Sequence, residues 1–198
     1  LGICGSGIID TVAELLEAGI IDQNGKFKEA KQSQWLRHNA DGLWEYVLAS
    51  GEYTATGQDI VITEPDIDNL MRAKGAIYAG ITTLLNSVGM DLDAVEQVYV
   101  AGGFGKYLQV DRAAAIGLFP ELDPERFTFV GNGSLLGARL VSFSKDMLRA
   151  AEEVARTMTN IDLSDNQYFM DEYMASLFFP HTDMKWFPRM EGILKKLN

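Results

Sequence analysis

Two glycine-rich stretches decide the fold predicted for this chain: ICGSGIID at residues 3–10 and VYVAGGFG at residues 98–105. Each stands where a strand or loop should lead into a helix. Glycine adopts positive φ and lets the backbone approach a ligand without a Cβ clash. The free N–H groups and the dipole at a helix N-terminus attract phosphate or ribose oxygens. The sequence therefore predicts that the two turns form two walls of one nucleotide pocket.

Helical periodicity and terminal signals predict two helices in the first half of the chain. The first begins at a Ser6 cap and runs to about Ala18, with Gly19 just after its end. The second is long, from an Asp66 cap to about Val88. Between them, an Asn-Gly hairpin signal and two β-favouring runs predict a small β insertion.

Two strands are predicted in the second half, at residues 95–100 and 126–130, and each leads into a glycine-containing turn and a helix. This order of helices, strands and turns predicts an α/β fold with crossover packing. Further helical patterns and an aromatic, proline-punctuated tail follow Ser144.

Composition limits the classes of partner. The 198 residues include 17 basic and 28 acidic side chains, giving a net charge of −11 without a dense Lys/Arg run, so we expect no nucleic-acid or membrane partner. One cysteine and no long apolar segment predict a cytoplasmic protein without disulfides. An ordinary iron–sulfur cluster takes four protein ligands, so we expect none in this chain. Because it opens inside a motif and without Met, we expect it to be part of a longer polypeptide.

Lys74 is the sharpest single-residue signal. It falls in the middle of the apolar stripe of the long helix, where an unpaired ammonium is costly. Three interpretations stay open: the side chain extends past the edge of the core, it meets a carboxylate, or it faces a ligand in a cleft.

Each of the other signals has a structural alternative. The glycine turns lack the spacing of a Walker A loop or of a dinucleotide-binding fold, and either can serve a tight connection or close packing. The turn at residues 131–134 is interpreted as a strand-to-helix connection with a Ser134 cap. Cys4 is expected to be a packed side chain, with a redox role left open. For His38 and His181 we expect structural or surface roles.

The ordered set of motifs resembles a known family. ICGSGIIDTVAELLEAGIID, AKGAIYAG, VYVAGGFGKYLQVDRAAAIGLFP, FVGNGSLLGA and FFPHTDMKWFP are similar to the C-terminal portion of the reductive activators of corrinoid proteins. That resemblance implies an ATPase domain of the acetate kinase/sugar kinase/Hsp70/actin type, joined in the full protein to an N-terminal [2Fe–2S] ferredoxin-like domain. Such activators use ATP to drive an electron onto cob(II)amide, regenerating the cob(I)amide of a corrinoid methyltransferase system.

The resemblance also implies roles for particular parts. Residues 1–143 would form a ribonuclease-H-like lobe, with residues 144–198 as a helical extension packed on it. Asn132 and Ser134 would belong to a hinge. The residues implied to contact the nucleotide are Gly5, Ser6, Gly7, Lys74, Gly102, Gly103 and Phe104.

The phosphate loops that hold ATP and Mg²⁺ are expected upstream, so we assign no catalytic residue here and expect this chain alone to be inactive. The implied partner is a corrinoid protein, and a homodimer is left open. Two alternatives remain. One is a non-enzymatic lobe that docks another protein. The other is an activator of 2-hydroxyacyl-CoA dehydratases, which shares the ATPase fold but holds a [4Fe–4S] cluster between two subunits; the lone Cys4 fits it poorly.

Overall fold

A computed structural model describes residues 2–28, 33–103 and 107–197. Helices and strands are mixed along the first two thirds of the described chain, and helices alone follow, with short 3-10 turns at some of the connections. The elements are α1 (Gly5–Glu17), β1 (Leu36–His38), β2 (Trp44–Ala49), β3 (Ile60–Thr63), α2 (Glu64–Ser87), β4 (Val98–Ala101), α3 (Val110–Ala115), β5 (Phe127–Gly131), α4 (Gly133–Phe143), α5 (Lys145–Thr157), α6 (Gln167–Ser176) and α7 (Pro188–Leu197).

The strands form two separate sheets. Strands β1, β2 and β3 make an antiparallel sheet in that order, which confirms the predicted β insertion and adds a first strand that was not predicted. Strands β4 and β5 pair in parallel, with α3 in the connection between them. Parallel neighbours require such a crossover. The predicted α/β class is confirmed.

The main core lies where α1, α2 and the C-terminal segments meet. Helix α2 packs along α6, and α1 packs against α3 and α7. The side chains of Leu16, Ile67 and Phe187 are completely buried there. At the surface, Glu17 accepts hydrogen bonds from Arg112 at 2.9 Å and from Arg189 at 2.6 Å, so one carboxylate ties α1 to both α3 and the start of α7.

The caps of α1 and α2 differ from the predicted ones. Helix α1 begins at Gly5 with Cys4 in the N-cap position, so Ser6 lies inside the first turn. Helix α2 is capped by Thr63, whose side chain accepts from the Asp66 N–H, while a carboxylate oxygen of Asp66 accepts from the Thr63 N–H at 2.9 Å. Asp66 is therefore the third-position partner of a capping box.

Helices α4 and α5 and the β4–β5 sheet carry an uncovered apolar surface. No residue of α4 or α5 is buried. Phe143 is 80% exposed, Met158 75% and Tyr99, on β4, 69%. Parallel sheets are normally covered on both faces. The described residues include no helix long and apolar enough to cross a membrane.

Candidate functional site

The first turn of α1 presents its backbone to an exposed sulfur. The Cys4 thiol is exposed, and its Sγ lies 3.3 Å from Ser6 Oγ. Hydrogen bonding from Ser6, and next from the Gly7 backbone, lowers the pKa of the Cys4 thiol below its ordinary 9.0. A helix start that favours thiolate in this way also favours other anions.

The glycine at position 7 also has a packing role. A Cβ there would lie 2.9 Å from Ile3 Cγ1 and 3.5 Å from Cys4 Sγ. The Ser6 side chain is only 7% exposed, so its hydroxyl faces Cys4 rather than open solvent. The backbone of the first turn, more than the Ser6 side chain, is therefore what this turn can offer to an anionic ligand.

The turn after β4 has open space beside its glycines. Gly102 has φ +107, a conformation that favours glycine. Among the residues that the structure describes, and apart from the chain neighbours, no heavy atom lies within 4 Å of the position where a Cβ would stand on Gly102 or on Gly103. A ligand can therefore approach this backbone closely. Phe104, the third residue predicted to border adenosine, lies outside the described residues.

The turns after β4 and β5 meet. The Gly102 N–H donates to the Gly131 carbonyl. A Cβ placed on Gly133 would lie 3.5 Å from Ala101 Cβ, so the two turns are also in van der Waals contact. Both turns stand at the carboxyl ends of parallel strands, which is where ligands bind in open α/β sheets. The sequence did not predict that these two turns are joined.

The start of α4 is capped by Asn132 and not by Ser134 as predicted. The Asn132 side-chain oxygen accepts from the Leu135 N–H at 3.0 Å, while Ser134 lies inside the helix. Asparagine reaches the free N–H from outside the helix, where a cap residue must stand. The hinge role that the resemblance implied for both residues stays a prediction.

Lys74 is buried and bound to two backbone carbonyls. Its side chain is completely buried, and its Nζ donates to the carbonyl oxygens of Phe178 and Pro180, each at 2.6 Å. The ring of Phe179 lies 5.5 Å from the same nitrogen. That Lys74 reaches the ribose or base edge stays a prediction; in this structure its ammonium is bound to the two carbonyls. Backbone carbonyls, which none of the three interpretations included, are its partners.

The two glycine turns are connected through α3. Gln109, which precedes α3, donates to Asp10 on α1 at 3.4 Å, and Arg112 on α3 bonds Glu14 and Glu17. These contacts bring the helix that follows the Gly102 turn against α1, whose first turn contains Gly5 and Gly7. That both turns open on one cleft stays a prediction.

Neither histidine takes part in this site. The ring of His38 lies 3.7 Å from that of Trp44, and His181 is buried beside Glu172, 3.0 Å from it. Within residues 2–28, 33–103 and 107–197, no group of three or more His, Cys, Asp or Glu side chains is placed to hold a metal ion. The site described so far is built from backbone.

Comparison with known proteins shows that this chain is an α/β domain of the actin-like, or ASKHA, type. The chain belongs to the family described as the C-terminal domain of RACo, the ASKHA domain, whose model matches residues 1–191. A solved structure named reductive activator for corrinoid, iron-sulfur protein is 47% identical, with a TM-score of 0.88 over 95% of this chain.

Two curated relatives carry related names. The corrinoid activation enzyme RamQ of Eubacterium limosum is 33% identical over 186 residues, and the [Co(II) methylated amine-specific corrinoid protein] reductase of Methanosarcina barkeri is 27% identical over 181 residues. Both matches cover 90% of this chain. The chain spans only 31% and 29% of these two relatives, and 30% of the solved structure.

Proposed function

We propose that this chain is the nucleotide-binding part of an ATP-dependent reductive activator that returns the cob(II)amide of a corrinoid protein to cob(I)amide. The observation that carries the proposal is the pair of joined turns at Gly102 and Gly131, with open backbone at Gly102 and Gly103. The names of the relatives support the corrinoid substrate. The family match favours this activity over that of the dehydratase activators.

In this proposal the chain binds adenosine and does not carry the redox step. The glycine turn after β4 borders adenosine, and the first turn of α1 faces the nucleotide with its N–H groups. ATP supplies the free energy for an otherwise unfavourable one-electron reduction of cobalt. The Mg²⁺ and phosphate loops, and the [2Fe–2S] cluster that donates the electron, belong to the rest of a longer protein. No residue of this chain is assigned to them.

The whole protein is proposed to work in the cytoplasm on the corrinoid protein of a methyltransferase system, with a homodimer as the assembly. Residues 1–143 form the lobe and residues 144–198 its helical extension. The division is supported by the start of α5 at Lys145.

One observation favours a second candidate, a lobe that only docks another protein. The apolar surface of α4 and α5 is uncovered, as expected for a docking surface. In that case the glycine turns serve the chain connections alone, and the open space beside Gly103 has no ligand.

Substitution of Gly103 separates the two candidates. Gly103→Val adds a branched side chain where no non-neighbouring atom of the described residues lies within 4 Å, so the fold should tolerate it. The side chain would, however, occupy the space through which adenosine approaches. We expect ATP affinity, measured by calorimetry in the full-length activator, to fall at least about tenfold, which corresponds to 1.4 kcal/mol.

Gly192→Val is the matched control, because that glycine is also exposed, and in the described part of the chain no non-neighbouring atom lies within 4 Å of its Cβ position. It should leave ATP affinity unchanged. Thermal unfolding without ligand checks that both variants remain folded. Equal ATP affinity in Gly103→Val and the unchanged protein would reject the nucleotide site and favour the docking lobe.

A further inference from the structure

One arginine holds together the two helices that belong to the glycine turns. Arg112 lies on α3, nine positions after Gly103. Its Nη1 donates to Glu17 Oε2 at 2.9 Å, and its Nη2 donates to Glu14 Oε1. Both glutamates lie on α1, which begins with the first glycine turn. A single guanidinium therefore joins the two parts of the chain that are proposed to meet the nucleotide.

The planar shape of this guanidinium fixes how α1 lies against α3. Glu14 and Glu17 are three positions apart, so their carboxylates stand on one face of α1, about one turn from each other. A rigid fork that donates to both carboxylates restricts rotation of α1 about its axis and sliding along it. The apolar contact between α1 and α3 lacks this selectivity, because hydrophobic burial has no direction.

The ion pair between Arg112 and Glu17 is partly shielded from water. The side chain of Arg112 is 22% exposed and that of Glu17 is 20% exposed. Fully exposed pairs contribute little because water and salt screen them, and partial burial reduces that screening. Arg189 of α7 holds Glu17 from another side, since its Nη2 donates to Oε1 at 2.6 Å. Each oxygen of the Glu17 carboxylate therefore has an arginine of its own.

A second polar contact between these segments is weaker. Gln109, just before α3, donates to Asp10 Oδ2 on α1 at 3.4 Å, which is long for an N–H···O hydrogen bond. The bonds of Arg112 are charge-assisted, and such bonds are roughly twice as strong as neutral ones. The alignment of α1 with α3 therefore depends mainly on Arg112.

We propose that Arg112 is a positioning residue for ATP. Through its two glutamates it holds the first turn of α1 at the distance and angle from the glycine turn after β4 at which one nucleotide meets both. The inference rests on the proposed function, in which adenosine borders the turn after β4 and the N–H groups of α1 face the same nucleotide. Arg112 itself touches no ligand. Binding groups must be held to within about 0.5 Å, so a small rotation of α1 lowers ATP affinity even when the fold persists.

Arg112→Met and Arg189→Met form a matched pair of variants. Each removes a guanidinium bound to Glu17, but the first breaks a link from α1 to α3 and the second a link from α1 to α7. By calorimetry on the full-length activator, we expect Arg112→Met to weaken ATP about tenfold and Arg189→Met less than about twofold. Urea unfolding without ligand should show similar losses of stability. Arg112→Lys should weaken ATP about threefold, because it keeps the charge but not the planar fork.

Glu14→Gln tests the same link with less risk to folding, because the Glu14 side chain is 62% exposed. It should weaken ATP about threefold in the unchanged background and not at all in Arg112→Met, where the contact is already lost. Glu191→Gln is its control, since it removes a surface ion pair with Lys195 inside α7. That control should leave ATP affinity unchanged.

The outcomes separate this inference from the proposed function. If the unchanged activator binds no ATP, the proposed function fails and this inference fails with it. If the activator binds ATP but Arg112→Met and Arg189→Met weaken it equally, Arg112 only stabilises the fold and the inference alone is rejected. Equal ATP affinity in Glu14→Gln and Glu191→Gln would reject it too, even if Arg112→Met did not fold.

Discussion

Replacing Lys74 with Met should destabilise the protein in a way that depends on pH. Met keeps the apolar stem of the side chain but leaves the Phe178 and Pro180 carbonyls without the donor that now lies 2.6 Å from each. Each buried carbonyl that loses its donor costs about 1–2 kcal/mol. Burial lowers the pKa of Lys74 to about 7, although the carbonyls and the Phe179 ring attract the ammonium.

The sign of the pH dependence follows from that depressed pKa. Between about 7 and the ordinary value of 10.5, the unfolded chain holds a proton on Lys74 that the folded chain releases. Stability therefore rises with pH in this window, by at most about 1.4 kcal/mol per pH unit. Lys74→Met lacks this contribution. The free energy of unfolding of the wild type minus that of the variant should increase by about 1 kcal/mol per pH unit between about pH 7.5 and 9.5.

Urea unfolding at several pH values measures this difference directly. Arg72→Met is the matched control, because Arg72 lies on the same helix with an exposed side chain, and its difference should stay flat. If the Lys74→Met difference is also flat, the buried amine stays charged in the folded protein, and the carbonyl contacts outweigh burial. If ATP affinity also falls in Lys74→Met, Lys74 reaches the nucleotide in a conformation other than this one.

Two further predictions concern single sites. Gly117→Ala should lower the free energy of unfolding by more than about 3 kcal/mol, because Gly117 has φ +76 and the new Cβ would overlap the Pro180 carbonyl oxygen. Gly57→Ala, at φ +70 and with no described atom near its Cβ position, should lower it by only about 1 kcal/mol in the same urea titration. Equal losses would show that the backbone around Pro180 moves to make room for the new Cβ. Ser6→Ala should move the pH profile of Cys4 alkylation to higher pH, since the Ser6 hydrogen bond is the largest cause of the lowered thiol pKa. The sequence has one cysteine, so the measured alkylation rate belongs to Cys4. An unchanged profile would assign the lowered pKa to the helix backbone.

Local patterns predicted the elements well and their ends less well. Gly19, predicted to follow the end of α1, has φ +67 just beyond it. The α2 cap was misplaced because Thr63 and Asp66 are three residues apart and each bonds the other's backbone. Sequence alone does not say which of two such residues has the extended backbone that a cap requires. Strand β1 was missed because it is only three residues long.

The site was predicted only in part, because its contacts join distant residues. The inward position of Lys74 followed from helical spacing, but its acceptors lie 104 and 106 residues away, and no periodicity indicates a backbone carbonyl. The contact between the Gly102 and Gly131 turns depends on the parallel pairing of β4 with β5, which local sequence patterns do not specify.

The segment at residues 178–180 has a consequence for how the protein is made. The Phe179 N–H donates to the Gln23 carbonyl at 2.8 Å, and the Phe179 carbonyl accepts from the Gln23 side chain at 3.0 Å. The segment also accepts a hydrogen bond from Lys74, and Gly117 packs against it. During synthesis, all of these partners leave the ribosome long before this segment does, at about 5–20 residues per second. The part of the core that this segment closes therefore stays open in the nascent chain until residues 178–180 have left the ribosome, and its apolar surface is exposed until then.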